Sequence, residues 1–420
     1  MSNRRTPMFY GWWIVLAAFL NLFFSVGIIF YGFPVFYTAF VETLGFTRAQ
    51  VTQGFLLGFI LVGLPFGLLA GALIDRFGPR AVILSGVGFV GISLVLMGFM
   101  TRLWQYEVLC ITEVLGYVLA GPIANQVLIA RWFRQRRGRA MGYAYLGLGV
   151  GGVVSPLTVN YIIRTLGWRM AIETVGIAIL LVLYPVGIWI TRSSPAEMGL
   201  VPDEIAQSPG DETDATKSSF AMGAVVRTSN FWLILIGSFL VIGAIGAVIQ
   251  HFILFLKDLG YSSLTASRFS TVLLASSLAG RVVVGYVADK FEKKNTMTVC
   301  FLLIGLSVLM LGLTKHPGML WAFAVVFGFS MGADYMLIPL VTAECFGTQS
   351  LGKILGLLVM GYSLGQWGAP WFVGKIFDAS HSYLLGWRVM GPTAIAGAVV
   401  VYLINRRHGN SDLKFQVNHP

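Results

Sequence analysis

Charge is scarce in this sequence. Of 420 residues only 11% are Asp, Glu, Lys or Arg, whereas a soluble domain carries about 25%. Too little charge remains to wet the surface of a chain this long, which argues against two or three ordinary soluble domains. Cysteine is sparser still, with three residues. Cys110, Cys300 and Cys345 form no disulfide framework and keep no metal-ligand spacing. They read as small apolar packing residues, and no cofactor or metal is expected. The sequence has neither an HExxH pair nor a P-loop, so zinc-hydrolase chemistry and an ATP-driven pump lack support. The chain is not expected to be an enzyme.

What is present is apolar, at 56% hydrophobic residues and a mean hydropathy of +0.78. The apolar residues come in long blocks, and about 20 of them cross a hydrocarbon core as a helix. Twelve such spans are predicted near 11–40, 51–74, 81–100, 104–130, 139–162, 168–191, 231–256, 265–288, 295–314, 317–342, 351–376 and 387–405. The 50 glycines suit a membrane, where small residues let helices approach closely. Arg4 and Arg5 precede a long apolar run with no small-residue cleavage pattern, so the run reads as a first span and not a signal peptide. Tryptophans including Trp12, Trp13, Trp168, Trp232 and Trp387 lie at or near predicted span ends, where an amphipathic ring is most stable.

A net charge of +11 invites a nucleic-acid reading, which the distribution of charge removes. With the N-terminus inside, nineteen of the 29 basic residues fall in inner loops and termini and nine in outer loops. That bias places both termini in the cytoplasm. One basic residue, Arg281, falls within a span.

A polar stretch at 192–230, rich in Ser, Pro, Asp and Glu, separates six spans from six and reads as a cytoplasmic linker between bundles 1–191 and 231–420. The two halves resemble each other. Gly71…Asp75-Arg76 recurs as Gly285…Asp289-Lys290, Phe133…Arg139…Gly142 as Phe346…Lys353…Gly356, and Gly167-Trp168-Arg169 as Gly386-Trp387-Arg388. Near-constant offsets argue for a duplicated six-helix unit, whose substrate site is expected near the midplane between the repeats.

Gly71-x-x-x-Asp75-Arg76-x-Gly78-x-Arg80 matches the signature after span 2 of the major facilitator superfamily. The resemblance implies an all-α membrane fold of twelve helices in two pseudo-symmetric bundles. It also makes Gly71, Asp75, Arg76, Gly78, Arg80 and the degenerate copy Asp289 a gating motif rather than a substrate site. Gly11-Trp12-Trp13, Arg131-Trp-Phe…Arg136-Arg137-Gly-x-Ala140-x-Gly142 and Gly280-Arg281-x-x-x-Gly285-x-x-x-Asp289 most resemble monocarboxylate porters and bacterial oxalate/formate antiporters. One departure is Tyr10, where the porters carry an acidic residue.

Arg281 sits mid-span, where an arginine costs at least about 2.5–3.5 kcal/mol. Its planar fork suits a carboxylate, and the resemblance implies substrate binding; the alternative is an ion pair locking two helices. By the same resemblance Tyr31 and Tyr335 line the substrate cavity, with packing as the alternative. Tyr117, Asn125, Gln250 and His251 are weaker candidates. Tyr362 takes the place of the antiporter's second buried lysine, so one cation favours a monoanion. Ser277 replaces the porters' proton-coupling aspartate, and Asp334 is the candidate substitute, its alternative being a structural partner. Glu107, Glu113 and Glu173 are expected to serve packing or the cavity edge.

These readings point to a secondary transporter of small monocarboxylates such as lactate or pyruvate, proton-coupled, working as a monomer in the cell inner membrane. The alternatives are an organic-anion antiporter and a non-transporting membrane sensor.

Overall fold

The computed structural model describes residues 9–133, 136–203, 222–312, 316–347 and 351–405. Every regular element among them is helical. Ten helical segments are long and apolar enough to cross a membrane. One of these, Arg137–Ile190, contains two predicted spans, because Gly167 (φ 80°, ψ 159°) breaks the helix. The helix Leu351–Ser380 supplies the predicted eleventh span, which completes the expected twelve. The linker expected at 192–230 falls partly outside the described residues.

Local chemistry sets the breaks. Span 1 (Gly11–Gly32) ends where Pro34 starts a second helix, Pro34–Leu44, since a proline ring cannot continue the hydrogen-bond ladder. Span 2 begins at Arg48, three residues before the predicted boundary. Thr47 and Gln50 form a reciprocal capping box there: Gln50 N–H donates to Thr47 Oγ1 and Thr47 N–H to Gln50 Oε1. Span 4 breaks at Gly121-Pro122 into Leu103–Ala120 and Pro122–Trp132. Span 10 breaks at Gly332-Ala333 into Pro317–Met331 and Asp334–Phe346.

The helices form two compact units, Met1–Ala39 with Leu57–Asp211, and Phe40–Leu56 with Glu212–Pro420. Within each, glycine sets the distance between helices. In the first unit Gly86 of span 3 faces the Gly116 carbonyl of span 4, while Gly147 and Gly151 of span 5 abut the span 1 backbone at Phe19 and Phe23. In the second, Gly280 of span 8 (Ser263–Lys290) meets the Phe329 carbonyl. Gly328 and Gly332 of span 10 meet the carbonyls of Leu273 and Ser277. Lipid tails give no hydrophobic drive for helix association, so such close backbone contact supplies the attraction.

This packing also explains two Gly-x-Ser-x-Gly strings, Gly328–Gly332 and Gly361–Gly365, which match a hydrolase nucleophile pattern. Both lie within or at the end of membrane helices, not at a strand-to-helix elbow. Their glycines touch Leu273, Ser277, Leu235 and Phe239, so they serve contact between spans. Gly280→Val should therefore lower the thermal midpoint of the purified protein, with overpacking costing about 1–3 kcal/mol. Gly142→Ala, with open space around its added methyl, should leave the midpoint in place.

Candidate substrate site

Arg281 lies nine residues before the end of span 8, about 14 Å along the axis. It borders the buried stripe of Ser277, Gly280, Val284 and Ala288, while Val282 and Val283 are exposed. Its Nε is buried. Spans 8 and 10 touch at backbone distance where Gly332 meets Ser277, one turn before Arg281. Asp334 follows Gly332 by two residues and is 2% exposed, so Asp334 and Arg281 occupy adjoining turns of neighbouring helices. Cys300 of span 9 (Lys293–Leu311) lies within electrostatic reach of Asp334. Tyr335 is the next residue of the same helix. Tyr362, on span 11, is 9% exposed.

His251 is fully buried in span 7 (Ser229–Asp258). The Pro370 carbonyl lies 2.8 Å from Nε2 and can only accept, so Nε2 carries the hydrogen; Nδ1 then accepts from the Tyr383 hydroxyl at 3.0 Å. Both ring nitrogens are thus engaged within the second unit. Gln250 beside it is also buried.

The first unit gathers its own candidates. Tyr31 and Tyr117 lie within electrostatic reach of each other, as do Tyr117 and Tyr145. Gly152 lies against the ring of Tyr31, and Gln126 Nε2 donates to the Tyr145 hydroxyl at 2.5 Å. Tyr145 and Gln126 escaped the sequence reading because neither is charged and a single polar residue in a span gives no distinct signal. Asn125 spends its amide on the helix break: Nδ2 donates to the carbonyls of Ala120 and Gly121, both at 2.8 Å. Its Oδ1 is buried with no hydrogen-bond partner among the described residues.

The motif after span 2 is a structural joint inside the first unit. Gly78 takes φ 78°, ψ 152°, a conformation costly for any other residue, and Pro79 starts span 3 (Pro79–Met97) at once. Arg80 then caps the end of span 6, donating through Nε to the Gly187 carbonyl at 3.0 Å and through Nη2 to the Ile188 carbonyl at 2.6 Å. Asp75 is exposed and 3.7 Å from Arg131. The Arg76 guanidinium lies over the Phe77 ring, 5.2 Å from its centre. Space around Gly71 is open. Asp289 lies in the last turn of span 8.

The family model described as Major Facilitator Superfamily matches residues 14–282 and 269–418. This chain belongs to the major facilitator superfamily. Among its members, Monocarboxylate transporter 13 of Bos taurus is 27% identical over 399 residues, covering 93% of this chain and 88% of that protein. Its counterpart in Rattus norvegicus is 28% identical over 418 residues, covering 98% and 92%. The fold is also that of a solved bacterial homologue of the human lysosomal transporter Spinster, with a TM-score of 0.73 and 18% identity over 95% of this chain and 98% of that one. The superfamily fold thus accounts for the twelve helices.

One charged cluster had no signal in the sequence, because Arg48 is 210 residues from Asp258 and 330 from Asp378. The segment Phe40–Leu56 is held in the second unit by Asp378 of span 11, which accepts from Arg48 N–H at 2.9 Å and Ala49 N–H at 3.1 Å. Those N–H groups open span 2 and have no partner within their own helix. Arg48 also donates to Asp258 at 2.8 Å and covers the Phe377 ring at 5.1 Å, while Phe55 stacks on Trp367. Asp378→Ala should lower stability by about 1–2 kcal/mol, read as a lower thermal midpoint, and Asp378→Asn should lose less because its amide oxygen still accepts.

Proposed function

We propose that this protein is a secondary active transporter of small monocarboxylates such as lactate or pyruvate, coupled to protons and working by alternating access. The observation that carries the reading is Arg281, a half-buried guanidinium inside a membrane helix. A cation at that depth is costly unless it meets an anion, and its fork binds a carboxylate through two parallel hydrogen bonds. Similarity to proteins named monocarboxylate transporters supports the same substrate class. Tyr362, where the antiporters place a second cation, favours a monoanion over a dianion.

In this reading Asp334 and the substrate share the balance of charge around Arg281. Tyr31, Tyr117 and Tyr335 supply hydroxyl groups and ring surface to the organic part of the substrate. The gating role belongs to Gly71, Asp75, Arg76, Gly78, Arg80 and Asp289. The excess of Lys and Arg in alternate loops supports cytoplasmic termini, and the chain works as a monomer in the cell inner membrane.

Counterflow of labelled lactate into proteoliposomes tests the reading. Arg281→Ala should abolish it and Arg281→Lys should weaken it, since a hydrogen bond to a charged group is worth about 1.5–3 kcal/mol, or ~10–150-fold in affinity. Uptake driven by an acid-outside gradient marks symport. Counterflow without gradient-driven uptake assigns the chain to the exchangers, and wild-type rates in Arg281→Ala reject the site.

A further inference from the structure

The first unit holds a carboxyl group that neither the fold nor the substrate site uses. Glu113 lies in span 4, ten residues below its start at Leu103, about 15 Å into a core some 30 Å thick. It is 2% exposed. Both carboxyl oxygens are buried with no hydrogen-bond partner among the described residues. Among the described residues no charged side chain is within electrostatic reach of it. A structural carboxylate would be expected to have a cation or several N–H donors, because an isolated buried charge costs far more than a folded protein has to spare. Glu113 has neither.

Its surroundings are polar without being charged. Tyr106, Cys110, Glu113 and Tyr117 follow the spacing i, i+4, i+7, i+11, which confines them to a sector of about 60° on one face of the helix. The Tyr106 hydroxyl is hydrogen-bonded to the Tyr37 hydroxyl and to the Cys110 thiol, and Tyr37 and Cys110 both lie within electrostatic reach of Glu113. Glu107, on the same helix, reaches Cys110. Tyr37 comes from the helix Pro34–Leu44. Among the described residues the other packed elements bring no ionisable group to this level: span 3 presents Gly86 and Val90, span 2 presents Gly58, and span 1 presents Asn21 and Ser25. Asp75, Arg76 and Arg80 stand at the opposite ends of spans 2 and 3, and Arg48, which opens span 2 ten residues before Gly58, is paired with Asp258. At its lower end the polar face reaches Tyr117, which neighbours Tyr31 and Tyr145.

We propose that Glu113 binds the proton that is carried with the substrate, with Tyr37, Tyr106 and Cys110 forming the polar file that connects it toward the outer end of span 4. This rests on the proton-coupled reading above. A group that accepts and releases a proton during transport must be stable in its neutral form in one state, and an uncharged cage, with no counterion among the described residues, provides that. Asp334, beside Arg281, then keeps its role in charge balance while the proton travels in the other unit.

The test compares wild type with Glu113→Gln, which imitates the protonated side chain, in lactate-loaded proteoliposomes. Expected is loss of uptake driven by an acid-outside gradient, together with counterflow that persists and no longer varies with pH. Gradient-driven uptake that survives in Glu113→Gln overturns the proposal while leaving symport intact. A wild type with counterflow but no gradient-driven uptake overturns the coupled reading itself, and the proposal with it. If Glu113→Gln shows no counterflow, infrared spectroscopy of the purified proteins decides. A carbonyl stretch of a protonated, weakly hydrogen-bonded carboxylic acid, present in wild type and missing in the variant, supports the proposal. Identical spectra overturn it.

Discussion

The cost of placing an ion in hydrocarbon governs this molecule from end to end. A charge at the centre of a bilayer is expensive whatever its sign, and backbone groups there must find partners within the protein. Most charges therefore lie in loops, and the helices are assembled from contacts that need no charge. Glycine against backbone carbonyl is the recurring contact, from Gly86 and Gly151 in the first unit to Gly280, Gly328 and Gly332 in the second. The few ionisable groups left inside stand out against that background. Arg281 and Asp334 share one corner of the second unit; Glu113 stands apart in the first.

The two units carry traces of one ancestral repeat but have divided its chemistry. In the first copy of the loop motif, Gly78 turns the chain and Arg80 holds the carbonyls of Gly187 and Ile188. The second copy retains Gly285 and Asp289 without a counterpart to the whole signature. Gly167 breaks the helix at a positive φ and Arg169 donates to the carbonyls of Gly98 and Met100 at 2.7 and 2.8 Å. The corresponding Gly386 lies within the helix Leu384–Tyr402 beside a fully buried Trp387. In the proposed account one copy carries the cation that meets the anion, and the other the carboxyl group that meets the proton.

The span pattern was legible in the sequence because hydrocarbon imposes a length of about 20 apolar residues whatever the tertiary contacts. Arg281 was legible for the same reason, as the one cation that loop topology leaves over. Breaks at Pro34 and Gly121-Pro122 follow from proline chemistry, yet they vanish when hydropathy is averaged over a whole span. The Asp378 cap on Arg48 and Ala49 was not legible, since no local pattern joins residues 330 positions apart. Glu113 was visible as a residue but not as a site. Its meaning depends on the missing counterion, a property of the packing around it. His251 shows the converse, a polar residue near the outer end of span 7 whose ring nitrogens turn out to be occupied by Tyr383 and Pro370.

The central claim is that a single arginine selects a monocarboxylate anion. Titration calorimetry of the purified protein with lactate and with a short dicarboxylate, in wild type and Arg281→Gln, tests it without reference to transport. The account predicts that lactate binds wild type more tightly than the dicarboxylate does, and that its heat of binding disappears in Arg281→Gln while the variant keeps its thermal midpoint. Lactate binding of equal strength in Arg281→Gln would contradict it.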